Sequence, residues 1–320
     1  MTQVSLPNEK FLRKEFVVPK IFEIMEPYLA FLDVLPKVKS NSRAIRYKQE
    51  SVSASSDTKK KTPRSITPGS RWTYVDITQM EIKSALLNKE GFAVRIDEDA
   101  IQFTEGVDEI NRAYKKIGFW LAEHINTLTA TALTGGVTAS TVTPTAVWSG
   151  STGTPVPDLI NFEDEMVQEG YPYRMTDVFL QQDNFKELKA YLTSLDIGDL
   201  KQKQIYGMPL VKNDAITIPV VGGTMRRLLS GLAEGSLLVL DGNHPAATIF
   251  YNNNPRYATP SISYKMAVDG KIVNKTETNI GFSFNKYIDD ESHDTVMQFW
   301  IDQVCVVKEP NAGRYLASGI

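Results

Sequence analysis

The sequence is short of reactive side chains. Among its 320 residues there is one cysteine, Cys305, and three histidines, His124, His244 and His293. A single thiol excludes a disulfide within the chain. With three scattered histidines it also excludes a thiolate zinc site. No run approaches the roughly 20 apolar residues that a membrane-spanning helix needs. The opening residues, MTQVSLPNEKFLRKEF, lack the apolar centre of a signal peptide. These absences give the expectation of a soluble chain made in a cytoplasm, with no membrane partner. Neither GxGxxG nor a phosphate-binding GxxxxGK run is present, so Gly135-Gly136 and Gly222-Gly223 are not phosphate loops. Charge of one sign is scarce as well. The formal net charge is −3, which excludes a basic footprint over the whole protein of the kind that marks nucleic-acid binding.

What is present is a large stock of core residues, 42% hydrophobic, and one local concentration of positive charge. From Arg43 to Arg71 the chain carries a net +6, which leaves −9 for the rest. Within it, residues 51–70 (SVSASSDTKKKTPRSITPGS) have almost nothing to bury. A basic protrusion on an acidic body can dock on another copy of that body, because complementary potentials set register and partner choice.

Apolar patterning places the elements. Residues 1–42 mix apolar clusters with Pro19, Pro27 and Pro36. They read as an extended arm laid on another surface, with room for a short helix near 20–26. RAIRYKQE (43–50) and RWTYVDIT (71–78) read as the two strands of a long hairpin whose tip is 51–70. Such a ribbon is marginal alone and needs a surface to lie on. A helix is expected over Val107–Leu133, with Ile110, Ala113, Tyr114, Ile117, Leu121, Ile125, Leu128 and Ala132 in one stripe and Gly135-Gly136 as its stop. A second helix, DLINFEDEMVQEG, has Leu159, Phe162, Met166 and Val167 on one side. TDVFLQQ reads as a strand and DNFKELKAYLTSL as a helix with Asp183 as N-cap. GMPLVKNDAITIPV and GSLLVLDGNHPAATIFY are strand-rich, and Asp269-Gly270 marks a hairpin. IGFSFNKYI and TVMQFWIDQVCVV read as long strands. The second is apolar on both faces and so belongs in the middle of a sheet.

No catalytic constellation emerges, and no catalytic, cofactor-binding or metal residue is assigned. Cys305 lies in phase with Met297, Phe299, Ile301 and Val307 and reads as a core thiol. DDESHD, which holds His293, lacks the glycine-bearing loop of an EF-hand and reads as an exposed acidic turn. Lys59-Lys60-Lys61 could touch a phosphate backbone, but three lysines in a loop more often form a solvated tip or meet an acidic neighbour.

The order of elements resembles that of tailed-virus major capsid proteins with the phage Hong Kong 97 fold, an α+β architecture. The passage WTYVDITQMEIKSALLNKEGFAVRIDEDAIQFTEGVDEINRAYKKIGFWLAEHINTLTATALTGG is similar to the family's run from hairpin through a short strand and helix to the spine helix. TDVFLQQDNFKELKAYL followed by IYGMPLVKNDAI resembles its axial-domain strand and helix. SLLVLDGNHPAATIFY resembles a later axial strand pair, and VCVVKEPNAGRYLA its closing peripheral strand. The resemblance implies an N-terminal arm (1–42), an extended E-loop hairpin (43–80), a peripheral domain (81–174 and 258–320, with the spine helix near 107–133) and an axial domain (175–257).

The function implied is self-assembly, without enzymatic activity or cofactor. Copies would form hexamers and pentamers that close into an icosahedral shell around double-stranded DNA, in a virion assembled in the host cytoplasm. Implied subunit contacts are Arg46, Lys48, Lys59, Lys60, Lys61, Arg64, Arg71, Trp72 and Tyr74 from the E-loop. From the arm they are Phe16, Ile21, Phe22, Tyr28, Phe31 and Leu32. Separate scaffold, portal and decoration proteins are further implied partners, since Met1 stands directly at the arm with no scaffolding segment ahead of it. Some relatives join an E-loop lysine to a neighbour's asparagine, for which Lys59, Lys60 or Lys61 and Asn311 are the counterparts. Three other readings stay open: an encapsulin-like shell, an enzyme of an α/β family, and a DNA-binding protein acting through the 43–71 ribbon.

Overall fold

The computed structural model describes residues 14–31, 34–50, 80–97, 106–144, 146–148, 153–168, 173–194, 215–218, 223–252, 263–268, 271–276, 282–288 and 294–320. In chain order the elements are α1 (Lys14–Met25), β1 (Lys37–Lys39), β2 (Ala44–Glu50), β3 (Met80–Leu86), β4 (Asn88–Ile96), α2 (Gly106–Gly136), β5 (Thr138–Ala139) and α3 (Pro155–Gln168). There follow β6 (Asp177–Gln181), α4 (Gln182–Ser194), β7 (Ala215–Ile218), β8 (Gly223–Leu228), β9 (Leu237–Leu240), β10 (Ala247–Tyr251), β11 (Ser263–Val268), β12 (Lys271–Thr276), β13 (Phe282–Ile288), β14 (Thr295–Val307) and β15 (Gly313–Leu316).

Two sheets carry the fold. One has five strands and is built on β14. β4 and β13 pair antiparallel with its first half, β10 pairs with its second half, and β1 adds in parallel to β10. Thr295–Ile301 is paired on both edges, as the two-faced apolar pattern of this strand requires. The other sheet is mixed and has six strands in the order β5-β15-β9-β6-β8-β7. β11 and β12 form the hairpin expected around Asp269-Gly270, with Val268 opposite Lys271.

The long helix is α2, 31 residues and about 45 Å long at 1.5 Å per residue. Its stripe serves two cores in succession. Ile110, Tyr114, Ile117, Leu121 and Ile125 pack with α1 and with Met297, Phe299 and Ile301 of the five-stranded sheet. Ala130 and Leu133 join the core of the six-stranded sheet. At Gly136 α2 approaches β14 too closely for a side chain, because a Cβ there would lie 2.5 Å from Val307 Cγ2.

Several expectations are corrected. The described partner of β2 is β3, from Ala44 opposite Leu86 to Glu50 opposite Met80; residues 71–78 lie outside the described residues. β3 was missed because Glu, Lys and Ala are poor strand formers in isolation, and cross-strand pairing overrides that preference. Where a short strand and helix were expected before α2, the described residues hold two strands, β3 and β4, and residues 98–105 lie outside them. Strand β8 was not anticipated. Val167 is exposed, because it sits well off the arc that buries Leu159, Phe162 and Met166. Asp183 falls inside the first turn of α4 and does not precede it. β10 belongs to the five-stranded sheet, and β5 and β15 both belong to the six-stranded one.

The largest correction concerns the N-terminal segment. Residues 14–25 form a helix with Pro19 inside it, where an interrupted arm was expected. A proline there removes a helical hydrogen bond. That cost is offset because Val17, Val18, Ile21 and Met25 are all buried against α2 and the sheet. Gly118 allows the two helices to touch, since a Cβ would meet Ile24 Cγ2 at 2.7 Å. Beyond α1, Asn126 of α2 clamps the chain. Its Oδ1 accepts from the Ala30 amide at 3.2 Å and its Nδ2 donates to the Tyr28 carbonyl at 2.6 Å. Asn126→Ala should leave both backbone groups without these partners and lower stability by about 3 kcal/mol, read as a lower urea midpoint together with faster proteolysis at residues 14–31.

Candidate assembly surface

The β2–β3 hairpin is closed at its base, where Leu87 N donates to Arg43 O at 2.9 Å, and it is tied to the body at the far end of β2, where Glu50 N donates to Lys308 O at 2.8 Å. The side chains of opposed residues share a face, so the pairing register divides the ribbon. Ile45 on one face is buried, with Tyr47, Gln49 and Ala85 partly covered. Burial, and then the proximity of Cys305, raises the Tyr47 phenol above its ordinary value.

The opposite face is uncovered. Met80, Ile82 and Leu86 are 56%, 73% and 63% exposed. They stand opposite Glu50, Lys48 and Ala44, with Arg46 opposite Ser84. Three large apolar side chains at alternate positions of one strand, beside exposed Arg46 and Lys48, make a stripe of the kind that marks a protein contact. The period-2 spacing of Met80, Ile82 and Leu86 was the available sequence signal. It was overlooked because the residues between them are polar and helix-compatible.

Of the residues expected to make subunit contacts, Arg46 and Lys48 lie on this stripe. Lys59, Lys60, Lys61, Arg64, Arg71, Trp72 and Tyr74 lie outside the described residues, as does Leu32. Ile21 and Phe31 are buried within their own chain, at 0% and 2% exposure, with Phe31 stacked on Phe179 at 4.3 Å. They hold the fold together and are not available to a neighbour. Phe22 is partly buried against the same core. Phe16 and Tyr28 remain exposed, the latter edge-on to Phe119 at 5.4 Å. Asn311, the counterpart of a cross-linking asparagine, is 1% exposed, and its Oδ1 accepts from Thr138 Oγ1 at 2.9 Å. Its amide is shut inside the chain.

The remaining chemical candidates are structural. Burial pushes the Cys305 thiol up to about 12, far from the thiolate a nucleophile needs. His124 Nε2 lies 2.6 Å from Glu90 Oε2, joining α2 to β4. The buried Asp241 carboxylate accepts from the amides of Arg174, Asn243 and His244 and faces His244 Nδ1 at 3.1 Å, which fixes the turn before β10. His293 lies outside the described residues. Among the described residues, no group of three His, Cys, Asp or Glu side chains is placed to hold a metal, and no helix is long and apolar enough to cross a membrane. Beside the far end of β2, Glu309 is raised above the usual carboxylate range, first by burial and then by Glu50 and Asp241. His244 and Lys308 oppose the shift.

Solved structures share this architecture. A virus-like particle from Pyrococcus furiosus matches at 12% identity over 94% of this chain and 98% of that one, with a TM-score of 0.56. A phage-related protein from Bordetella bronchiseptica RB50 matches at 11% identity over 96% and 97%, with a TM-score of 0.55. The capsid of cyanophage P-SCSP1u matches at 13% identity over 90% and 88%, with a TM-score of 0.51. No curated protein sequence matches the chain. The fold is the α+β fold of Hong Kong 97-type phage capsids. A family model described as phage capsid protein matches residues 81–284, more than half of the chain. The chain belongs to that family, and it is a capsid shell protein of a bacteriophage virion.

Two measurements check the local chemistry. Iodoacetamide at pH 8 should modify Cys305 at least about 100-fold more slowly in the native protein than in urea, because burial withholds the thiolate. For Glu309, a raised native value means its favourable contribution is complete at low pH and lost as pH rises through that value. Glu309→Gln should therefore be more stable than the parent at neutral pH, and the gap should close below the ordinary carboxylate range in pH-dependent thermal unfolding.

Proposed function

We propose that this chain is the major capsid protein of a tailed phage, assembling as hexamers and pentamers into an icosahedral shell that encloses double-stranded DNA. The observation that carries this reading is the uncovered stripe Met80, Ile82 and Leu86 beside Arg46 and Lys48 on a hairpin anchored to its own body by the other face. Burying each of these apolar side chains against a neighbour contributes about 1.5–3 kcal/mol, a gain no lone subunit can collect.

In this reading the hairpin of β2 and β3, residues 43–86 rather than 43–80, is the E-loop, and its basic tip, Lys59, Lys60, Lys61 and Arg64, meets the acidic body of the next subunit. Arg71, Trp72 and Tyr74 lie along the same ribbon. Phe16 of α1 and Tyr28 just after it, both exposed, offer contacts to that neighbour. The five-stranded sheet with α1 and α2 is the peripheral domain, and the six-stranded sheet is the axial domain. Assembly takes place in the host cytoplasm, with separate scaffold and portal proteins, and the −9 carried outside 43–71 suits a shell that holds its DNA by weak contact.

Purified parent protein should give closed shells or five- and six-membered rings by negative-stain electron microscopy and sedimentation. The double variant Ile82→Glu/Leu86→Glu should keep its thermal midpoint, because both side chains are exposed, and remain unassembled. Normal shells from that variant would overturn the assignment of this stripe.

A further inference from the structure

We propose that the outward face of α2 is a phosphate-binding surface, on which Arg112, Lys115, Lys116 and Trp120 contact the backbone of the enclosed double-stranded DNA. This rests on the shell reading above and gives its weak DNA contact a place on the chain.

α2 turns Ile110, Tyr114, Ile117 and Leu121 into the core under the five-stranded sheet, which leaves the opposite side of the same turns in water. Arg112, Lys115, Lys116 and Trp120 are all exposed there, Trp120 at 50%. Arg112, Lys116 and Trp120 follow one another at steps of four residues, and Lys115 lies three residues from Arg112, so the four side chains share one face. Residues 110–122 (INRAYKKIGFWLA) hold these three cations and no Asp or Glu, a net +3 in a chain whose total is −3. Asp108, Glu109 and Glu123 stand before and after the cluster and do not interrupt it. On α1, which packs alongside, Lys20 is taken up by Glu23 at 3.1 Å.

Trp120 adds a second kind of contact. Its ring meets Phe92 of β4 edge to face, with 6.1 Å between centroids, and this braces one side of the indole while half of the residue stays in water. Phe119, edge-on to Tyr28 at 5.4 Å, closes the neighbouring side. An exposed indole beside cations suits a nucleic-acid backbone, because its N–H donates to a phosphate oxygen and its ring lies against the sugar. From Arg112 to Trp120 the stripe runs about 12 Å, the rise of three or four successive phosphates at about 3.4 Å each along one strand. Duplex DNA is the occupant because three cations with no carboxylate among them complement a uniform line of anions.

The test is fluorescence anisotropy of a labelled duplex of about 30 base pairs with the full chain, from about 50 to 200 mM salt. The parent should bind, with log K falling linearly against log salt. The triple variant Arg112→Gln/Lys115→Gln/Lys116→Gln should keep the parent's thermal midpoint, because the three side chains are exposed. It should bind at least about 10-fold more weakly at the lowest salt and lose about 3 from the slope. Neutralising Lys59, Lys60 and Lys61 to Gln should leave both unchanged. A parent that leaves the duplex free at the lowest salt, or a triple variant with the parent's affinity and slope, would overturn the assignment. Poly-glutamate of equal charge binding the parent as tightly as the duplex would overturn nucleic acid as the partner. None of these outcomes touches the shell reading, which stands or falls on the formation of shells and rings.

Discussion

Everything in this fold hangs on β14. Its thirteen residues are apolar on both faces, so neither face can be left to water. Its backbone groups need partners on both edges, since buried amides and carbonyls left unpaired cost as much as lost hydrogen bonds. β4 takes one edge, and β13 and β10 share the other end to end. α2 covers the face that holds Met297, Phe299 and Ile301. The carbonyl of Lys308, directly after the strand, accepts from the Glu50 amide and so ties the far end of β2 to the body. The strand thus sets the position of the sheet, the helix and the projecting ribbon together.

α2 extends that organisation to the second core. One helix stripe packs first on the five-stranded sheet and then on the six-stranded one. The two layers are further tied where β14 gives way to β15. There Arg314, wholly buried, donates from Nη1 to the carbonyls of Asn311 and Gly313 and lies 3.9 Å from Glu165 of α3. Glu165 in turn accepts from Ser140 and Thr141, which follow α2. A buried pair of this kind contributes definition more than net stability. Here it joins the segment after α2, α3 and the chain's last strand.

A shell subunit must separate the apolar surface that folds it from the surface that joins it to its neighbours. In this chain the division runs through single elements. α1 commits Val17, Val18, Ile21 and Met25 to its own core and leaves Phe16 outside. The hairpin turns Ile45 inward and Met80, Ile82 and Leu86 outward.

The sequence alone determined the elements whose pattern is long and unambiguous. These are α2 with its stripe from Ile110 to Ala132, the central place of β14, the hairpin at Asp269-Gly270 and the core character of Cys305. Each follows from periodicity or local turn chemistry, which act within a few residues. Their order along the chain was sufficient for the family resemblance. Tertiary structure alone decided which apolar residues were already in use. Ile21 and Phe31 have the same chemistry as Phe16 and Tyr28, and only packing against α2 and Phe179 separates core from surface. It also decided that MEIKSAL is a strand, because that segment's hydrogen bonds come from β2, tens of residues earlier. Composition fixes what a side chain prefers; which neighbour satisfies it is set by contacts distant in sequence, and those exist only once the chain has folded.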